Sequence, residues 1–235
     1  MQNKGVWIWR GALALLLSAS TIMTILGAVG TACLAWNGNL YPAKAFGWIV
    51  PAMPLYQNLV YISLVAGVAL AIVTYALLRG DRWFYWGALL SLVIGGGAAA
   101  YQMYLTSTLK SISFFAAAPT NVRFYITALT LIVLLVIRFP GIWQKSGLDH
   151  PRAGKPDLLT PTGAALVLTG GLMITAPLWA SPEHVVDDFN YVNTLLVPLV
   201  VDGTALVFGG AALLGARLGL VHVCAKRIVP NELKF

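Results

Sequence analysis

"LLVPLVVDGTALVF", residues 195–208, carries one charge, Asp202, with a proline four positions before it. In a water-soluble core Asp202 would be a curiosity. In a bilayer it would be the most costly side chain of its segment, and therefore a lead on function. The rest of the chain decides between the two settings.

Of the 235 residues, 59% are hydrophobic and only 10% are charged. Ordinary soluble domains carry about 25% charged residues, and a soluble fold of this size could not hide so much apolar surface. The composition therefore predicts an integral membrane protein. Six stretches are long enough to cross about 30 Å of hydrocarbon as helices: 11–35, 58–78, 83–105, 121–139, 161–180 and 193–220. The expected fold is all-α and polytopic, one transmembrane domain spanning 1–235. Start and stop signals support the shorter stretches. Pro119-Thr120-Asn121 precedes the fourth and Pro140-Gly141 follows it, while Thr160-Pro161 supplies a hydroxyl cap and an N1 proline to the fifth. The N-terminus imitates a signal peptide, but the apolar run 11–35 exceeds the usual core of one and reads as a retained first span.

Orientation follows from the basic residues. With the N-terminus in the cytoplasm, the cytoplasmic side receives Lys4, Arg10, Arg79, Arg82, Arg138, Lys145, Arg152, Lys155, Arg217, Lys226, Arg227 and Lys234. Only Lys44, Lys110 and Arg123 fall elsewhere. This bias is a positive-inside signal, and it agrees with an even number of spans and both termini in the cytoplasm. The expected location is a bacterial-type inner membrane. The net charge of +7 then reads as topology and attraction to anionic phospholipid, not as a nucleic-acid surface.

Three segments outside the spans stand out. The outer stretches 36–57, broken by Pro42, Pro51 and Pro54, and 106–120 are too apolar for plain loops and are expected to lie in the interface or re-enter the protein. The loop 140–159, rich in proline and glycine, is the longest hydrophilic piece. Small residues recur every four positions at Gly87, Ser91, Gly95 and Ala99, and again at Ala211, Gly215 and Gly219, which predicts two close helix crossings.

Candidate chemistry is sparse. Cys33 and Cys224 fall near opposite membrane faces, beyond disulfide reach. His150, His184 and His222 are scattered over loops and a helix end, so no two can face one iron and haem is not expected. Glu183, His184, Asp187 and Asp188 crowd one outer loop and are weak candidates for a metal site, a solvated acidic loop being the more ordinary reading. Tyr101, Gln102 and Tyr104 near the outer end of the third span, with Arg123 opening the fourth, form a candidate polar vestibule. Asp202 is a candidate ligand-binding or proton-binding group, expected on a face with Leu195, Pro198, Ala205 and Gly209 that packs against other helices. No nucleophile elbow, HExxH helix, phosphate-binding glycine loop or paired-carboxylate motif is present.

Two functions fit these residues. The first is a non-catalytic subunit of a larger membrane complex, of respiratory or photosynthetic kind, holding lipid, quinone or pigment between its helices beside other membrane subunits. The second is a small-solute or ion transporter using Asp202 as its coupling group. An enzyme with its own activity ranks below both.

Overall fold

A computed structural model of the chain describes residues 4–40, 46–117, 120–148, 159–180, 185–186, 189–194 and 196–217. They form α1 (Lys4–Asn37), α2 (Met53–Arg79), α3 (Phe84–Lys110), α4 (Thr120–Ile137), α5 (Pro140–Ser146), α6 (Leu159–Ala180), α7 (Tyr191–Thr194) and α8 (Leu196–Arg217). Short 3-10 turns cover Gly38–Leu40, Gly47–Ala52 and Phe114–Ala116. Outside the helices, one two-residue antiparallel pair sets Val185 against Asn190 and Val186 against Phe189.

Helices α1 to α4 make a closed bundle in which α1 packs on α2 and α4, and α3 packs on the same two. Local signals set its corners. Gly80 takes a left-handed conformation (φ 84°) and donates its N–H to the carbonyls of Ala76 and Leu77, ending α2. Phe139 is held extended (ψ 134°) by the proline that follows, so the chain turns through 93° between α4 and α5. The short α5 then lies across the bundle end, where Trp143 stacks on Phe84 at 6.3 Å and Arg138 sits 5.0 Å above the Trp143 ring. The other end is capped by the turn Gly47–Ala52, with Ile49 fully buried and Lys110 5.1 Å from the Trp48 ring.

The second unit is a hairpin of α6 and α8. Helix α6 leans on α1, and α8 packs along α6 without a substantial contact to the bundle. Glycines set the crossing. A methyl group on Gly163 would come within 2.8 Å of the Gly210 carbonyl oxygen, and one on Gly203 within 2.8 Å of that of Gly170. The two pairs lie one heptad apart on each antiparallel helix, so the backbones touch twice. Such proximity supplies the packing that a bilayer's missing hydrophobic drive cannot.

Among the described residues, four helices are long and apolar enough to cross a membrane: Trp9–Asn37, Gly47–Arg79, Phe84–Lys110 and Leu196–Ala216. The bent pair Val122–Ile137 with Pro140–Ser146 raises the number to five, and Thr162–Leu178 is a shorter apolar helix. By length, four or five candidates stand against the six expected spans, the sixth resting on the shorter helix Thr162–Leu178. Two boundaries also move: α2 begins at Met53, inside the stretch expected to be interfacial, and α3 continues to Lys110. Of the loop 140–159, residues 140–146 are helical, and 149–158 lie outside the described residues.

Candidate functional site

The bundle's apolar core is divided. One buried cluster, containing Leu13, Leu17, Leu77, Phe84, Leu92 and Leu134, fills the end closed by α5. Another, with Ala28, Ala35, Ile49, Tyr56 and Val60, fills the capped end. Between them all four helices turn polar side chains inward. Thr24 and Thr31 come from α1, Ser63 from α2, Gln102 from α3, and Arg123, Thr127 and Thr130 from α4, every one of them buried.

Arg123 is the centre of this layer and is only 2% exposed. One terminal nitrogen donates to Ser63 Oγ at 3.2 Å, and the other donates to Gln102 Oε1 at 2.8 Å. Gln102 in turn donates from Nε2 to Thr31 Oγ1 at 2.9 Å, and Thr31 donates to the Gly27 carbonyl at 2.7 Å. The chain of hydrogen bonds therefore runs from α4 through α3 to α1, with a branch to α2. Gly27 makes room for it: a methyl there would stand 2.9 Å from the Arg123 Cδ. A second bridge nearer the α5 end joins Ser20 and Thr130 at 2.8 Å, and a third near the cap joins Tyr56 and Thr106 at 2.7 Å.

Among the described residues, two buried atoms of the layer have no partner, Arg123 Nε and Thr24 Oγ1. Nor does a carboxylate reach Arg123 among the described residues. Asp81 lies 3.7 Å from Arg79 at the surface, and Asp202 is exposed on α8. Among the described residues the guanidinium thus has two neutral acceptors for its five N–H groups and no counter-charge.

Of the residues singled out from sequence, Gln102 and Arg123 meet in this network, whereas Tyr101 and Tyr104 are exposed and stack on each other at 6.3 Å. Asp202 corrects one expectation. It is exposed, as are Pro198, Ala205 and Gly209, so that face points away from the rest of the chain. The neighbouring Gly203 is the residue turned toward α6. One position is about 100° of helix rotation, enough to exchange an inside for an outside. The same slip affects the small-residue ridge: Gly203 and Gly210 make the crossing, while Ala211 is exposed and Gly215 meets nothing within 4 Å. On α3 the ridge fares differently, with Ser91, Gly95 and Ala99 all buried. Glu183, His184, Asp187 and Asp188, together with His150, Leu195, His222 and Cys224, lie outside the described residues. Cys33 is exposed and free.

Sequence reasoning missed Ser63, Thr31 and Thr24 as members of the network. Their only signal was periodic: Thr24, Gly27 and Thr31 share one helical face, and isolated hydroxyls in apolar helices are common enough to hide it.

The features above are those of an all-helical chain with four or five membrane-length apolar helices and a polar layer inside its bundle, compatible with a polytopic membrane protein. No protein-family model matches the chain, and neither a curated protein nor a solved structure is similar to it.

Proposed function

We propose that this chain is a non-catalytic subunit of a larger membrane assembly, joined to its partners through α8. One observation carries the reading: only 11% of the apolar stretch of α8 is buried within the chain, against 39–50% for the stretches of α1 to α3. Its outward side presents Asp202 among Val197, Val201 and Phe208, all strongly exposed. Asp202 lies six residues, about 9 Å, inside its span; a carboxylate facing lipid costs up to about 2.5–3.5 kcal/mol at a span's centre on insertion scales, so a partner that covers it is favoured. The same outward side repeats small residues at Ala205, Gly209, Ala212 and Ala216 beside Asp202, at the three- and four-residue steps of a helix-packing seam.

In this reading six segments cross an inner membrane, with α4 and α5 acting as one bent span, α6 as a short one and both termini on the cytoplasmic side. The end bearing Arg79, Arg82, Arg138 and Lys145 is the cytoplasmic one by the positive-inside rule. Anionic phospholipid borders it, and lipid, quinone or pigment occupies the space between this chain and its neighbours. The transporter alternative has less support, because Asp202 faces away from the polar layer it would have to serve.

Gentle solubilisation followed by size exclusion tests the proposal. The wild-type chain should elute with other polypeptides, and Asp202→Leu should elute alone while retaining its helical content. A wild-type chain that elutes alone, as a monomer, would count against a subunit.

A further inference from the structure

We propose that the bundle interior is a binding site for an oxyanion, a carboxylate or phosphate group seated on Arg123 beside Thr24. The inference is independent of what covers α8, since every residue involved belongs to α1–α4.

The argument begins with charge. Arg123 is all but inaccessible, and its hydrogen-bond partners among the described residues are a hydroxyl and a neutral amide. Burying a cation without an opposite charge is among the most expensive arrangements in a protein, and more so in a helical bundle surrounded by lipid. A hydrogen-bonded layer serving only to fix helix register could be built from threonine, serine and glutamine, as the Ser20–Thr130 bridge is. Nothing in such a role calls for a guanidinium.

Position adds a second cost. Arg123 lies in the first turn of α4, where the helix dipole presents its positive end. Cation and dipole repel each other there, while both attract an anion. Geometry supplies a third indication. Arg123 Nε–H is a buried donor without an acceptor, and the Thr24 hydroxyl is a buried group without a partner on the same α1 face as Gly27. Thr24 and Gly27 are one turn apart, about 4.5 Å along the axis. An oxyanion has several acceptor lone pairs, so one group can satisfy the guanidinium charge, its free Nε–H and the hydroxyl together. A water molecule could fill the hydrogen bonds but would leave the charge uncompensated.

Gln102 sharpens the assignment. Its carbonyl oxygen is turned to Arg123 because its amide donates to Thr31. Replacing it with glutamate would place an internal carboxylate at the guanidinium, which is the counter-charge the ligand is inferred to supply.

The full chain, purified in neutral detergent and stripped of lipid, would be titrated calorimetrically with two sets of ligands. One set is amphiphilic, oleate and phosphatidylglycerol; the other is soluble, acetate and inorganic phosphate. Saturable binding with one site per chain is expected in one set, which identifies the source of the anion. Methyl oleate, the neutral analogue, should not bind. Arg123→Gln should weaken binding at least tenfold and Thr24→Val several-fold. Gln102→Glu should stay folded, melt no lower than wild type and lose binding by tenfold or more; this variant decides the matter if Arg123→Gln does not fold. Absence of saturable binding in both sets would overturn the proposal. So would unchanged affinity in a folded Arg123→Gln or Gln102→Glu protein.

Discussion

The bundle of α1 to α4 and the hairpin of α6 and α8 use their few polar groups in opposite ways. In the bundle the cation Arg123 is drawn inside, hydrogen-bonded to two other helices and, through Gln102, linked to a third, and closed off from the surroundings. In the hairpin Asp202 is turned out, and the interface is made of glycine backbones and the apolar side chains packed on them. The difference follows from helix count. Four helices enclose a volume in which side chains can satisfy one another, whereas two helices share only a line. A pair has no interior, so a polar side chain on it points outward or is absent.

The comparison predicts where substitution is most damaging. Gly170→Leu or Gly203→Leu should have the largest effect, because the added side chain would press into a backbone carbonyl that cannot move aside cheaply. Loss of the hairpin crossing is expected, read as a fall in melting temperature and as protease sensitivity within α6–α8, with the bundle still protected. If both halves melt together, the two regions are not separable and the contrast fails.

Next in size is the Ser20–Thr130 bridge, which lies inside the bundle. Thr130→Val strands the Ser20 hydroxyl and should destabilise by about 1–3 kcal/mol. The double change with Ser20→Ala removes both partners and should recover a large part of that loss, a coupling measurable in a double-mutant cycle. Additive losses would show that the hydroxyls do not act as a pair.

The smallest effects belong to glycines in open space. Neither Gly97 on α3 nor Gly209 on α8 has an atom within 4 Å of the position a methyl group would take. Alanine at either should leave the isolated chain's stability unchanged or raise it by up to about 1 kcal/mol, since glycine is the poorer helix former. They should part company in the assembly: Gly209→Ala lies on the seam with Asp202 and should weaken association, while Gly97→Ala should not. Equal behaviour of the two in native membranes would remove the special status of the α8 face.

How much of this was legible in the sequence depends on which physical signal carried it. The helical class followed from composition and from apolar runs as long as a bilayer is thick. Turn chemistry around Pro140 marked a corner that the structure contains. The span count was less legible, because length alone cannot say whether Val122–Ile137 and the short helix after Pro140 act as one crossing. Facing was least legible. Asp202 and Gly203 are adjacent letters in a segment hydrophobic on all sides, so no amphipathic pattern fixes which one looks inward; only the partner helix does. Gly163 and Gly170 were missed for the same reason, being two glycines among many until Gly210 and Gly203 are set opposite them. The pairing of Arg123 with Gln102 was within reach as a shared location near two helix ends. Its extension to Ser63, Thr31 and Thr24 needed the bundle's closure, which periodicity does not encode.

The most direct test of the outward-facing hairpin is site-specific photo-crosslinking in native membranes. A photoreactive residue would replace Val201 or Phe208 on α8, and, as the matched control, Val65 or Val68 on the outer side of α2; all four are strongly exposed. The account predicts a discrete protein adduct from the α8 positions, lost in Asp202→Leu, and only lipid adducts from α2. Lipid adducts alone from both helices would contradict it.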